Sequence, residues 1–524
     1  MKTRRPLLYW LCCFLLITSL SAQQSIITGT LLDEQTGEPV PFATIGIKGQ
    51  NIGVISNLEG DFQIPLTYQK QGDTIVISCI GYITLEMALS QLSMQQANTI
   101  TIQRAAYVLP EAVVRFKQRK QLSAGQIVYR AIRRIPDNFP QSPFSYIGYY
   151  RDYQKRHGQY INLNEAIVEV FDRGFQTDNR FVTQMKLYNY LLNEDFVVND
   201  SFAIAYDNKN EKFVPNAEMT PFGGNELSIL MMHDAVRNHR VHSYSFVNIF
   251  DTDFYHQHKF SMSEPTVVGD IILHSITFEG RRPYLGPKFD VEGRIYIESG
   301  NFAIHKLEYR VYDKEEDTRR LLYDIQVEYA RGSDGMYLNY ISFNNLFYLS
   351  KPPLFRVDGI RLDTTQSNTG AVGWNLRTTY LEVIMNKSPD RSSALNKDNY
   401  SIKLAKRKVQ IERIIPDGAY AVRLFLNNED VIPLLKDIDQ WLPQLKIEFG
   451  EIYDRHHHLL NEPQYEEARQ YRELFRQKIT TTTTADRRKD LPFIDRDTTL
   501  SANFQLLQPV TGTMGYWMNT PLKQ

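Results

Sequence analysis

Cysteine is nearly absent, with three in 524 residues. Two of them, Cys12 and Cys13, fall inside an N-terminal stretch laid out like a secretory signal. Lys2, Arg4 and Arg5 give its charged start, residues 7–17 its apolar run, and Ser19-Leu20-Ser21-Ala22 a small-residue exit. Cleavage there leaves Cys79 alone in the exported chain, and one thiol forms no internal disulfide. Cys12 follows Leu11 rather than a small residue, which argues against a lipid-modified cysteine. Charge of one sign is also lacking. The 59 Lys and Arg stand against 60 Asp and Glu, a balance unsuited to wholesale nucleic-acid binding. Beyond the signal no run of about 18 uninterrupted apolar residues occurs, so a second helical membrane span is not expected. No P-loop or dinucleotide fingerprint is written in the chain. What is present, at 42% hydrophobic and 23% charged, is an ordinary globular composition long enough for several domains.

Residues 26–106 alternate short β-type runs with turn residues, the writing of a small antiparallel sandwich. Residues 26–32 form a first strand, 33–39 a turn and 42–47 a second strand. Gly60 is expected at positive φ in the turn that leads into residues 62–66. Residues 74–80 read as a buried central strand ended by Gly81-Tyr82. Cys79 within it reads as a small buried hydrophobe rather than a reactive thiol. The order TGTLLDEQTGEPVPFATIGIKG, GVISNLEGDFQIPL, DTIVISCIGY and LPEAVV resembles the carboxypeptidase-D regulatory-like domain, a transthyretin-like β-sandwich. The Asn57…Gly60-Asp61-Phe62 turn and the Gly81-Tyr82 pair carry the match, and Asn57 stands where that family often has Asp. The resemblance implies an accessory module. In zinc carboxypeptidases such a domain accompanies the peptidase, and in outer-membrane TonB-dependent receptors a similar one precedes the plug. It therefore implies export and work in the periplasm or at the outer membrane rather than catalysis.

One stretch is strongly one-signed. From Arg104 through Arg115, Lys117, Arg119 and Lys120 to Arg130, Arg133 and Arg134, eight cations meet one acid, Glu111. They form either a peripheral contact for lipid phosphates or the solvated face of a linker and helix. Ser123 to Gln126 has the pattern of a capping box. Ile127, Val128, Ala131, Ile132 and Ile135 follow at helical spacing, and Pro136 stops the helix.

Residues 144–387 are dominated by Tyr- and Phe-rich alternation, the period of half-buried strands, interrupted by a helix at 225–237. One large curved antiparallel sheet covered by helices is expected. GPKFDVEGRIYIESGNFAIHKLEYRVYD and YYRDYQKRHGQYINLNEAIVEVFD resemble the region that follows this regulatory domain in exported proteins of uncharacterised function. The hairpin GRIYIESGNFAIHKLEY is similar to a repeat unit of LolA-like half-barrels, which carry lipoproteins. An outer-membrane barrel is disfavoured by charges on both strand faces and by the helix. The expected order is signal 1–22, sandwich 23–106, basic linker and helix 107–136, an antiparallel α+β domain over 137–430, a helical segment over 431–479, and a low-complexity linker with an extended tail over 480–524.

Residues with reactive chemistry do not gather. His305-Lys306-Leu307-Glu308 spells H-x-x-E, but strand alternation sends His305 and Glu308 to opposite faces. Asp251, Asp253, His256 and His258 make the better metal pattern, since on a strand the two histidines share a face about 7 Å apart. The plainer reading is solvent-facing histidines. His456, His457 and His458 diverge if helical. Asp234 with His239 and His242 offers an acid/base pair without a nucleophile elbow nearby. No catalytic, cofactor-binding or metal residue is assigned, and no cofactor is expected. The expectation is a mainly β, exported, non-catalytic envelope protein. It would bind an envelope protein, glycan or lipid, and no nucleic acid, on an aromatic-rich sheet surface. A metal-dependent carboxypeptidase-like enzyme would need converging His and Glu. A periplasmic lipid or lipoprotein carrier would need a continuous apolar cavity.

Overall fold

The computed structural model describes residues 26–49, 53–65, 74–105, 122–178, 183–192, 196–207, 211–215, 224–243, 247–285, 288–315, 318–332, 334–367, 376–404, 407–431, 442–481 and 491–506. The signal, the LPEAVV segment and the basic residues from Arg115 to Lys120 lie outside them. The chain divides into two compact units, residues 1–348 with 467–524, and residues 349–466.

The first unit begins with the sandwich. Strands β1 (Ile26–Asp33), β2 (Thr44–Ile47), β3 (Gly53–Ile55), β4 (Asp61–Pro65), β5 (Thr74–Ser78), β6 (Leu85–Ala88) and β7 (Asn98–Ile102) form two sheets, in the orders β4-β1-β7 and β3-β2-β5-β6. Alternation places Ile27, Leu31, Ile45, Phe62, Ile64, Ile75, Ile77 and Ile100 in one core between them. The sandwich is not wholly antiparallel, because β1 and β7 run parallel. Gly60 has φ +74°, and a Cβ there would lie 2.5 Å from the Leu31 carbonyl oxygen. The same turn is held by Asn57, whose Oδ1 accepts from the backbone N–H groups of Glu59 and Asp61 at 3.0 and 2.7 Å. Asn57 needs no charge for that task.

Two expectations in this region shift. Strand β5 ends at Ser78, so partly buried Cys79 lies just beyond it. Strand β2 begins at Thr44 rather than at residue 42. Phe42 takes φ +58°, leaves the sandwich core and stacks on Tyr340 with ring centroids 4.7 Å apart.

Tyr340 belongs to the large sheet of the same unit. Its strands are β8 (Phe144–Arg156), β9 (Gln159–Asp172), β10 (Gln184–Leu192), β11 (His258–Met262), β12 (Ile271–Gly280), β13 (Phe289–Glu298), β14 (Ile304–Glu315), β15 (Thr318–Arg331), β16 (Met336–Lys351) and β17 (Gln464–Thr480). They run in the order β10-β9-β8-β17-β16-β15-β14-β13-β12-β11, with two short strands added beside β16 and β12. Helix α1 (Ala124–Arg133) carries the expected capping box, with Ser123 and Gln126 bonded reciprocally. Helix α2 (Glu226–Met232) is capped by Asn225 and buried on all sides.

The largest correction is β17. Residues 464–480, expected to be helical, form a central strand antiparallel to β8. Their Glu, Arg, Gln, Ala and Leu content favours a helix locally, but pairing between β8 and β16 outweighs that weak preference. The tail is corrected too. Leu491, Ile494 and Leu500 are buried, and the Ile494 N–H donates to the Met185 carbonyl at 2.9 Å.

The second unit interrupts the expected 137–430 domain. It holds antiparallel strands Val357–Ser367, Leu376–Met385, Ala421–Leu426 and Ile411–Asp417 in one sheet. Arg407–Val409, Tyr400–Leu404 and Lys446–Phe449 form another. Leu381, Val383, Ile402, Leu424 and Ile452 are in its core.

Candidate functional site

Alternation on adjacent strands sorts the charged residues of the large sheet onto two faces. Arg151 of β8 lies opposite Glu473 of β17 and Glu165 of β9, while Asp152 lies opposite Arg472 and Asn164. Arg151 donates to Glu473, forming an ion pair in which both side chains are almost wholly buried. The Asp152 face is covered by α2 and its flanks. There Arg472 donates through Nε to Glu226 at 2.6 Å and through Nη1 to Asn345 Oδ1 at 2.7 Å. Lys212 Nζ lies 3.9 Å from the other Glu226 oxygen and donates to the Phe202 carbonyl at 2.8 Å.

Beside this network opens a cavity of about 180 Å³, lined by Asp152, Asn162, Asn164, Tyr190 and Glu226 among others. Asp200 is a third acid on its wall, and no Lys or Arg is among its described lining residues. Burial pushes Asp152 up to about 7, and the charge of Glu226 adds to this. Hydrogen bonds from Asn164 and Tyr150, each 3.0 Å, act the other way. Burial pulls Lys212 down to about 8 against the attraction of Glu226.

The opposite face meets the sandwich. Beyond the Phe42–Tyr340 stack, Asn339 Nδ2 donates to Thr44 Oγ1 at 2.9 Å, and the Gly81 N–H donates to the Val267 carbonyl at 2.9 Å. Between the two lies a cleft of about 430 Å³. Thr44, Gly46 and Gly53–Ile55 form its sandwich wall, where register sets Gly46 opposite Gly53, so two neighbouring positions project no side chain. Arg331, Tyr337, Asn339, Arg476 and Ile479 are on its sheet wall. Among the described residues the lining includes two guanidinium groups and no carboxylate. Arg331 is bonded to Glu298 at 2.5 Å. Arg476 Nη2 donates to Asn339 Oδ1 at 3.3 Å, while its Nη1 is shut off from solvent without a partner among the described residues. Burial lowers Arg476 to about 10, despite the attraction of Glu328.

The residues singled out by sequence do not assemble. Residues 250–254 form a π-helical turn and Tyr255–Gln257 a helical one, so His256 and His258 share no strand face. His258 is buried, its ring nitrogens 2.9 Å from the Phe254 carbonyl and 3.2 Å from the Tyr309 hydroxyl. Asp253 accepts from the Ile249 N–H, and Asp251 faces Arg133 at 3.7 Å. His305 contacts Glu298 at 3.2 Å, whereas Glu308 pairs with Lys306 at 3.0 Å. Asp234 accepts from Tyr329 at 2.5 Å and from the Arg237 N–H at 2.9 Å, while the His239 ring lies 3.1 Å from the Val236 carbonyl. His456 to His458 lie in a turn rather than a helix. His458 Nδ1 is 2.8 Å from Asp454, and His457 stacks on Tyr453. Among the described residues no three His, Cys, Asp or Glu come together as a metal site.

The aromatic contact surface also needs correcting. Tyr149, Tyr150, Tyr153, Tyr309, Tyr329, Tyr337 and Tyr340 are fully buried. The apolar face around β11 to β14, which a lipid carrier would need open, packs Phe254, His258, Phe278 and Tyr309 against one another. Arg476, Asn339, Asp152 and Glu226 were not singled out in the sequence. Asp152 and Asn339 are polar residues inside strand-like runs, Glu226 sits at the start of the expected helix, and Arg476 lies in a run that reads as helix.

Residues 27–114 match the CarboxypepD_reg-like domain. Over 93 residues the chain is 39% identical to the TonB-dependent receptor SusC of Bacteroides thetaiotaomicron, covering 18% of this chain and 8% of that receptor. The chain thus spans only a small part of that relative. Two solved structures are also similar. A DUF1329 family protein from Desulfovibrio piger is 10% identical, covering 43% of this chain and 87% of its own, with a TM-score of 0.19. A membrane-associated protein of unknown function from Bacteroides fragilis is 9% identical, covering 86% and 98%, with a TM-score of 0.12. Scores this low carry no argument about fold or role.

Proposed function

We propose that the chain is an exported, non-catalytic binding or assembly protein of the cell envelope, working in the periplasm or at the outer membrane. Its binding site is the cleft between the regulatory-like sandwich and the large sheet. The carrying observation is that this 430 Å³ space has walls from both modules. A volume of that size falls in the ordinary range of small-molecule sites, about 300–1,000 Å³. Support for the envelope comes from the match of residues 27–114 and from the SusC segment that shares their character. The sandwich acts here as a structural half of the site, fixed by the Phe42 stack and the Asn339–Thr44 hydrogen bond.

Native purification from its own envelope, followed by mass spectrometry under non-denaturing conditions, tests the reading. A molecule or partner retained by the wild type and lost from Ile479→Trp, with melting behaviour unchanged, is the expected result. Retention unaffected by that substitution, or peptidase turnover abolished by a chelator, would overturn it.

A further inference from the structure

We propose that the cleft is an oxyanion site in which Arg476 takes a carboxylate or phosphate group. The proposal rests on the binding role assigned to the cleft and adds the chemistry of its ligand. Arginine is the side chain best matched to such groups, because its planar fork donates two parallel hydrogen bonds. A guanidinium removed from water is ordinarily matched by a carboxylate, since an uncompensated buried charge costs several kcal/mol. The three most deeply buried arginines of this unit obey that rule. Arg151 pairs with Glu473, Arg472 with Glu226, and Arg237 with Asp172.

Arg476 departs from it. The acid nearest in influence, Glu328, accepts from Asn339 Nδ2 at 2.9 Å, and Asn339 turns its oxygen toward Arg476. Among the described residues the guanidinium therefore receives one amide contact where Arg151, Arg237 and Arg472 receive a carboxylate. Around it the described residues of the cleft wall include a second arginine, already matched to Glu298, and no acid. The facing Gly46 and Gly53 leave room on the opposite wall. A space of about 430 Å³ is ample for an oxyanion and part of the molecule bearing it. The 180 Å³ cavity beside Asp152, with three acids and no cation among its described lining residues, has the opposite polarity.

The test uses the purified full-length protein in low-salt buffer, with sodium acetate and inorganic phosphate as separate probes and sodium chloride at equal ionic strength as the reference. Thermal melting and calorimetric titration are read together. Wild type is expected to show a saturable rise in Tm with at least one oxyanion beyond that with chloride, and the stronger arm tells carboxylate from phosphate. Arg476→Gln should weaken that binding about tenfold or more. Arg476→Met should abolish it while raising Tm in chloride alone, because an unmatched cation is gone. An Arg319→Gln control, at an exposed ion pair with Glu292 outside the cleft lining, should retain the response. Equal effects of all three salts on the wild type, or an unchanged response in Arg476→Gln, would overturn the assignment. An uncharged molecule retained in the cleft on native purification would also remove the oxyanion, while leaving the binding role standing.

Discussion

Replacing Asp152 by Asn should make the protein more stable at pH 8 and leave it unchanged at pH 4. The carboxyl lies under α2, accepting from Tyr150 and Asn164, with Glu226 near enough to repel its charge. Burial and that repulsion raise it from 3.8 to about 7. The folded state thus holds the proton more tightly than the unfolded chain does. The stability this contributes is fully present below pH 3.8 and is lost as pH rises through 7. At about 1.4 kcal/mol per pH unit, the loss is of order 4 kcal/mol. An asparagine keeps the shape, accepts from Asn164 and has no charge to bury at any pH. Urea melts of both proteins at several pH values from about 4 to about 8, followed by tyrosine fluorescence, isolate the effect. The stability difference should climb between pH 4 and 7 and then level off, since other titrating groups cancel between the two proteins. A flat difference across that range would refute the burial argument for Asp152.

Glu226→Gln should cost about 3–5 kcal/mol at neutral pH, because Arg472 and Lys212 lose their shared counter-charge. Urea melts of the triple variant Glu226→Leu, Lys212→Met and Arg472→Met should recover most of that, and no recovery would contradict the account. Phe42→Ala removes the ring stacked on Tyr340 and should cost about 3–5 kcal/mol. Faster amide exchange at Thr44 and Asn339 would report the loosened contact. Gly60→Ala should cost more than about 1 kcal/mol, because it places a Cβ at positive φ against the Leu31 carbonyl. An unchanged Tm would remove that reason for the glycine.

Legibility followed the range of the interactions. The capping box of α1 was readable because Ser123 and Gln126 are three residues apart and satisfy each other. The strands β12 to β16 were readable because each pairs with a chain neighbour and buries one alternating face. Strand β17 was not, because its partner β8 lies more than 300 residues away. The Asp251 to His258 stretch was misread as strand through His256 because packing draws Phe250 and Phe254 into the core.

Local chemistry, then, decided the sandwich. Its core positions, its Gly60 turn and its likeness to a regulatory-like domain are all set within about eighty residues. Tertiary structure alone decided which charges meet. Arg472 finds Glu226 across 246 positions, while Arg476, one helical turn away in number but two pleats along the same strand, finds only an amide among the described residues. A strand's period says which side chains share a face and says nothing of what another part of the chain brings to it, so matched and unmatched arginines look alike until the sheet is assembled.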